Sequence, residues 1–115
     1  MDYSKQRDNT IVLNEKGKVT QFFIGNIVYI ECDGYLSTVH LIDTDKTETF
    51  SILLKEIEEK VKGYGFCRIN RNTLVNLKYF KSFVNGRKRC FVTSNCCEMK
   101  VSRRKWQVFK KSLKM

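Results

Sequence analysis

Two short basic segments of the chain carry the residue types that recognise a polyanion. The first runs from Arg68 to Asn76, and its polar members cannot all turn into a protein core: Arg68, Asn70, Arg71 and Asn72. Arg offers planar donors and Asn a donor–acceptor pair, which match the exposed edges of guanine and adenine. A polar turn whose asparagines bond their own backbone is the alternative. Residue types alone leave both interpretations open.

The second segment, Ser102–Arg103–Arg104–Lys105, places three cations where a C-terminal helix is predicted to begin. Cations are unfavourable there because the helix macrodipole is positive at its N-terminus. A locally unfavourable choice of residues indicates a function, and free N–H groups beside cations form a phosphate site. Under the alternative, the arginines pair with acids such as Glu98 or remain solvated. The sequence favours phosphate binding.

The chain shows no constellation typical of catalysis or metal binding. His40 is the only histidine and lies within a predicted strand. A glycine-rich phosphate loop, HExxH and GxSxG are all missing from the sequence. The five cysteines have no CxxC spacing and are odd in number, so we expect free thiols in a reducing compartment. We therefore predict a protein that is not an enzyme and that has no cofactor and no metal.

Charge is divided unevenly along the chain. Residues 1–59 hold six Lys or Arg and eleven Asp or Glu, whereas residues 60–115 hold sixteen and one, a net charge of +15. Such segregation favours a face for a polyanion, with nucleic acid first and an anionic membrane surface second. The sequence contains neither an apolar run of membrane-spanning length nor an N-terminal signal peptide. We therefore expect a cytoplasmic protein that does not enter a membrane.

Short strands make up most of the predicted elements. The 115 residues, of which 42% are hydrophobic, suit one folded domain, predicted over 15–115 after a polar lead-in or linker remnant at 1–14. Tight turns are expected at Asp33-Gly34 and Asn85-Gly86. Antiparallel strands are predicted at Ile27–Ile30, Tyr35–Ile42, Thr47–Phe50, Phe66–Ile69, Leu74–Asn76, Phe80–Val84, Lys88–Ser94 and Met99–Ser102.

Two short helices are predicted to cover the strands. Ser51 is expected to cap the first, which starts at Ile52, runs for about three turns and stops near Gly63. Its three glutamates make it a structural cover rather than a DNA-facing element. The second follows Ser102 and presents an apolar stripe of Trp106, Phe109 and Leu113, which is assigned to the core.

Four sequence motifs, in order, resemble the LytTR family of bacterial DNA-binding domains. Ile27-Val28-Tyr29-Ile30-Glu31-Cys32 is similar to the family's I-x-Y-I-E-A strand, and residues 53–60 (LLKEIEEK) are similar to its helical segment. Residues 66–77 (FCRINRNTLVNL) are similar to F-x-R-I-H-R-S-x-L-V-N-L, and residues 101–104 match the closing V-S-R-R. Each motif alone is weak. Together they cover the chain from about residue 20 to its C-terminus.

The resemblance implies a mainly β fold of elongated antiparallel sheets with two short helices, which reads successive major grooves from loops. Three places are implied to approach DNA: the turn at 33–37 with Tyr35 and Ser37; the segment with Arg68, Asn70, Arg71 and Asn72; and the segment with Ser102, Arg103, Arg104 and Lys105. Asn70 replaces the family's His and Asn72 its Ser, so base preference there cannot be carried over from relatives.

The leading hypothesis is sequence-specific binding of double-stranded DNA by a bacterial transcriptional regulator. Arg71 and Arg104 are assigned to bases, and Arg68, Arg103 and Lys105 mainly to phosphates. The resemblance further implies paired DNA sites and a receiver domain or sensor kinase pathway upstream, as in two-component systems. This sequence shows neither a receiver nor a membrane segment, so a single-domain regulator and a fragment both stay open.

Two other functional classes remain open. One is a protein-interaction module whose basic face binds an acidic partner, and sequence-blind DNA binding would favour it. The other is an RNA or single-strand binder, which would stack bases on exposed aromatic side chains. The candidates for stacking are Tyr35, Tyr64 and Tyr79.

Overall fold

The computed structural model describes residues 9–115, which form ten strands and two short helices. The helices are α1 (Leu54–Lys60) and α2 (Trp106–Ser112). Single 3₁₀ turns lie at Ile24–Asn26 and Leu77–Tyr79. The strands are β1 (Thr10–Glu15), β2 (Lys18–Phe23), β3 (Ile27–Asp33), β4 (Leu36–Leu41), β5 (Thr47–Phe50), β6 (Phe66–Asn70), β7 (Thr73–Asn76), β8 (Phe80–Phe83), β9 (Cys90–Thr93) and β10 (Glu98–Lys100).

The strands form three antiparallel sheets, which confirms the predicted mainly β class. The central sheet has the order β5-β4-β3-β7-β6, and a smaller sheet has the order β10-β9-β8. β1 and β2 form a separate hairpin. The domain is elongated, with extents of 46 × 31 × 25 Å.

Both faces of the central sheet are buried, so the molecule has two apolar clusters. Leu74 packs into the first cluster, with the β1–β2 hairpin and Ile57 of α1. Its neighbour Val75 points the other way into the second cluster, with Phe91 of the small sheet and Phe109 of α2. Because successive side chains of a strand alternate between faces, two adjacent apolar residues indicate a strand covered on both sides.

The β1–β2 hairpin was not predicted from the sequence. Ile11 and Leu13 are buried in the first cluster, while the intervening Val12 is exposed. Three apolar residues in a row hide the period of two that marks a half-buried strand. Residues 1–8 of the predicted lead-in lie outside the described residues, and the domain boundary at 14/15 stays a prediction.

The start of α1 differs from the prediction. The helix begins at Leu54 rather than Ile52 and has seven residues, about two turns, and no side chain caps its N-terminus. Ser51 is not the cap, because Leu53 occupies the N-cap position. The Ser51 backbone N–H donates to Glu15 Oε1 at 2.9 Å. Gly63, with a φ of +85°, follows the helix in the left-handed conformation that was expected of it.

This bond between Ser51 and Glu15 predicts a contribution to acid stability. The donated N–H holds the pKa of Glu15 below its usual 4.5, so the unfolded chain takes up the proton first. The resulting stabilisation is complete above the unfolded pKa and is lost as the pH falls through the folded one. We expect Glu15→Gln to flatten the acid limb of a plot of melting temperature against pH. Glu59→Gln is the control, and equal acid limbs in the wild type and Glu15→Gln would contradict the assignment.

The β8–β9 connection and the start of α2 also differ from the prediction. The β8–β9 hairpin is present, but residues 84–89 connect its strands, so Asn85-Gly86 is part of a longer loop. α2 begins at Trp106, and Arg103, Arg104 and Lys105 form a turn before it rather than its first helical turn. The macrodipole argument for a phosphate site therefore does not apply. The stripe of Trp106, Phe109 and Leu113 does pack into the second cluster, as predicted.

Candidate nucleic-acid interface

The two basic segments, which are far apart in sequence, meet around one cleft. We call it the motif cleft. It has a volume of about 450 Å³ and is lined by Glu58, Arg68, Asn70, Arg71, Ser102, Arg104 and Lys105. Its four cations and one carboxylate give a local net charge of +3. Six of the ten predicted site residues therefore lie together, beside β6, an edge strand of the central sheet.

Hydrogen bonds with β6 fix the second segment against the first. The N–H of Ser102 donates to the carbonyl of Ile69 at 2.8 Å, and Asn70 Nδ2 donates to the carbonyl of Lys100 at 3.2 Å. The pairing of β6 with β7 shifts register between Arg68 and Asn70. Such bulges redirect side chains and recur beside functional sites. These bonds and the bulge thus fix the two segments against each other.

Arg68 joins two sides of the motif cleft through hydrogen bonds within the protein. Its Nη1 donates to Glu58 Oε1 at 2.9 Å, and its Nη2 donates to the carbonyl of Arg71 at 2.6 Å. The Arg68 side chain is 22% exposed. Sequence reasoning missed Glu58, because three glutamates on one short helix carry no signal of which one faces a strand. Both Nη groups of the guanidinium are bonded within the protein, whereas its buried Nε has no hydrogen-bond partner among the described residues. We assign Arg68 to positioning the loop at 71–72.

We expect Arg68→Lys to lower the free energy of unfolding by about 1–2 kcal/mol, since one ammonium cannot replace a fork that bonds two separate acceptors. DNA affinity should fall as the loop loosens, although net charge is unchanged. The salt dependence of binding should stay as in the wild type. Denaturant unfolding and a salt titration of DNA binding measure these effects. Unchanged affinity and stability would contradict the positioning role and would support the original assignment of Arg68 to a phosphate contact.

Asn70 supports the turn interpretation of its segment. Its Oδ1 accepts the N–H of Asn72 at 2.9 Å, while its Nδ2 bonds Lys100 as described. Asn72 in turn lies against β3, since its carbonyl accepts the Cys32 N–H at 2.8 Å and its Oδ1 accepts from Cys32 Sγ at 3.7 Å. The predicted alternative, asparagines bonding the local backbone, is thus correct for Asn70. These bonds bring the 71–72 loop beside the β3–β4 turn.

The two predicted residues of the β3–β4 turn have opposite environments. Tyr35 is 80% exposed at the tip of the turn. Ser37 is fully buried, and its hydroxyl donates to the carbonyl of Ile52 at 2.6 Å. A buried side chain cannot touch a duplex bound at the surface, so the expected role of Ser37 does not fit this fold. Ser37 instead joins β4 to the segment before α1.

The arginines expected to read bases have free guanidinium groups. Within residues 9–115, the ion pairs join His40 to Glu31, Arg68 to Glu58 and Arg87 to Glu98. Arg71, Arg103 and Arg104 are exposed and take part in none of them. Glu98, proposed from sequence as a partner for the second segment, pairs with Arg87 instead. Arg103 does not line the motif cleft, although Lys105 and Arg104 do.

Tyr29 and Cys67 have raised pKa values. Burial, with a smaller effect of the Glu31 charge, raises the pKa of Tyr29 to about 12, and burial raises the pKa of the Cys67 thiol. Neither residue lines the motif cleft, so these shifts report packing rather than acid–base chemistry. All five cysteines carry free thiols, as expected. Among residues 9–115, His, Cys, Asp and Glu form no group of three or more that suits a metal ion.

Neither helix within residues 9–115 is long and apolar enough to cross a membrane. Comparison with curated protein sequences gives no significant match. A solved structure does match: the LytTr DNA-binding domain of a protein described as a methyl-accepting/DNA response regulator from Bacillus cereus. The TM-score is 0.73 at 20% identity, over 92% of this chain and 97% of that one. At this identity the match establishes the fold.

Fold and site together define a mainly β domain that presents cations from loops at one end of a central sheet. The family model of the LytTr DNA-binding domain matches residues 17–114. The chain belongs to the LytTr family of DNA-binding domains, as its motifs indicated.

Proposed function

We propose that the protein binds double-stranded DNA sequence-specifically, as the output domain of a bacterial transcriptional regulator. The convergence of the two basic segments on the motif cleft carries this proposal. A duplex requires cations for its phosphates and directed donors for its base edges, and the cleft presents both on one surface. The matched Bacillus cereus domain belongs to a protein described as a response regulator, which supports the regulatory role.

The side-chain geometry supports different roles for the site residues: base contacts, phosphate contacts and positioning of the loop. Arg71 and Arg104 have unpaired, exposed guanidinium groups on the motif cleft, which suits bidentate donation to guanine in a major groove. Asn72 and Tyr35 flank them on neighbouring loops. Lys105, which also lines the motif cleft, suits a phosphate contact. Arg68 and Asn70 hold the loop, because both Nη groups of Arg68 and both amide atoms of Asn70 are already bonded within the protein.

Regulation and DNA architecture extend this proposal. A loop-borne site of this size covers few base pairs, so two domains on paired sites would supply the specificity that a regulator needs. An upstream receiver domain or sensor kinase pathway would supply the signal. The protein would act in the cytoplasm. The two-component assignment rests on family membership.

One observation weighs against single-strand binding. Of the three tyrosines considered for base stacking, Tyr79 is buried and its hydroxyl donates to the carbonyl of Gly25. Tyr64 is partly buried against the first apolar cluster. Only Tyr35 among these three offers an open ring face, whereas a stacking platform needs several.

A binding competition at near-physiological salt tests the proposal. The probes are a duplex DNA, its separated strands, an RNA of the same sequence, and polyglutamate as an acidic polymer. We expect the duplex to bind most tightly and to resist competition by polyglutamate. Preference for the single strands or the RNA would support the stacking alternative. Equal competition by polyglutamate would support an acidic protein partner.

A further inference from the structure

A second basic cleft is lined by Lys100 and Arg103, which are close neighbours in sequence of the motif-cleft residues Ser102 and Arg104. We call it the hairpin cleft. It has a volume of about 460 Å³, and besides Cys90 its lining consists entirely of cations: Arg87, Lys88, Arg89, Lys100 and Arg103. Glu98, paired with Arg87, is the one carboxylate bonded to these cations within residues 9–115. The local net charge is therefore +4.

The hairpin cleft is built onto the same segment as the motif cleft. Arg89 Nε donates to the carbonyl of Val101 at 3.0 Å, and the Val101 N–H donates to the carbonyl of Arg89 at 2.8 Å. Arg89 adopts a φ of 58°, an uncommon conformation for a residue with a side chain, which these bonds hold in place. The adjacent Ser102 is bonded to Ile69 on the motif side. The two clefts therefore keep a fixed spacing.

Successive arginines of this segment line different clefts. Arg104 lines the motif cleft with Arg71, whereas Arg103 lines the hairpin cleft with Lys88 and Lys100. The motif cleft also contains an amide, a hydroxyl and a carboxylate, as expected where base edges are distinguished. The hairpin cleft offers only cationic donors besides the buried Cys90. Such a lining matches phosphate oxygens, which carry charge but no sequence information.

We propose that the hairpin cleft binds the sugar–phosphate backbone of the same duplex whose bases the motif cleft reads. The inference rests on the proposed function. A DNA strand held at one cleft passes close to the other, because neighbouring residues of the segment 100–105 line the two clefts and the phosphates of a strand recur every few ångströms. The hairpin cleft would thus add affinity and fix the orientation of the domain on DNA without adding sequence preference.

The triple variant Lys88→Gln, Lys100→Gln and Arg103→Gln tests this assignment. Arg87 and Arg89 are left intact because both are bonded within the protein. The control variant Lys18→Gln, Lys46→Gln and Lys55→Gln removes equal charge from residues that line neither cleft. Binding to a preferred duplex and to a scrambled duplex is measured over a range of salt concentrations, and thermal melting checks that both variants fold.

We expect the triple variant to lose roughly tenfold or more in affinity for both duplexes alike. The slope of log affinity against log salt concentration should flatten by about 0.9 for each phosphate contact removed. The control should retain nearly the wild-type slope. A slope in the triple variant equal to that of the control would overturn the proposal, as would a loss confined to the preferred duplex.

Failure of the proposed function would look different. If the wild type does not distinguish the two duplexes, sequence-specific reading fails whatever the triple variant does. A flattened slope in the triple variant would then still establish the hairpin cleft as a phosphate site, on a non-specific DNA binder. The ratio of affinities for the two duplexes therefore tests the motif cleft, and the slope tests the hairpin cleft.

Discussion

Arg71→Ala is expected to weaken binding to the preferred duplex by about 1–3 kcal/mol, which is the discrimination that one bidentate contact to a base supplies. Binding to a scrambled duplex should change much less, so the preference between the two collapses. The physical reason is that the Arg71 guanidinium is exposed on the motif cleft and is outside every ion pair found within residues 9–115. Its donors are free for DNA.

Arg71→Lys separates base reading from charge attraction. It keeps the positive charge but loses the planar fork, so a base contact should remain broken while a phosphate contact largely survives. We therefore expect Arg71→Lys to resemble Arg71→Ala on the preferred duplex. Recovery of binding by Lys, with equal losses on both duplexes in Arg71→Ala, would reassign Arg71 to phosphate.

Phe109→Ala is expected to lower the free energy of unfolding by about 3–5 kcal/mol, the usual cost of emptying an aromatic site in a core. Phe109 is fully buried at the centre of the second apolar cluster. Its ring packs on those of Phe91 and Trp106 at centroid separations of 5.0 and 6.1 Å. A loss of this size is a large share of the stability of a small domain.

DNA binding should fall with stability in this variant, because α2 directly follows the turn that carries Arg104 and Lys105. Trp106 is the only tryptophan of the chain, so its fluorescence reports the unfolding of this cluster directly. Val108→Ala is the matched control: Val108 is 55% exposed on the same helix, and the change should stay within about 0.5 kcal/mol. Equal effects of the two changes would contradict the assigned core.

The strands of the central sheet were predictable because local pattern and tertiary environment agree. The run from Ile27 to Ile30 is apolar because the sheet is covered on both faces, and the alternation in Leu36–Leu41 puts Ser37 and Val39 inward. The burial of Ser37 shows the limit of motif transfer. A position that the family resemblance placed near DNA is occupied here by a hydroxyl bonded to Ile52.

What the sequence concealed depends on contacts between distant residues. Ser51 has a residue type that favours helix caps, yet the helix begins only at Leu54, and the Ser51 N–H donates to Glu15, 36 residues away. The β1–β2 turn uses Lys16 and Gly17, both with positive φ, rather than the Asn-Gly pair that marks such turns in sequence. No local pattern contains these partners.

In the candidate site too, the sequence identified the residues, and contacts between distant segments decided their arrangement. Motifs identified which residues carry the charge, whereas the bonds from Ser102 to Ile69 and from Asn70 to Lys100 decide that two segments form one cleft. The pair of Arg68 and Glu58 likewise converts a predicted phosphate contact into a support for the loop. Charge segregation predicted a basic face without indicating that its cations line two separate clefts.

The most direct test of the central claim is selection of bound duplexes from a random DNA pool at near-physiological salt. Low salt would favour any basic protein, since a few phosphate contacts change affinity about a thousandfold between low and moderate salt. We predict an enriched motif, repeated at a fixed spacing if two domains bind together, and we predict that Arg71→Ala blurs it. Only salt-sensitive bulk binding, with no enriched sequence, would contradict sequence-specific reading and would assign the basic face to another partner.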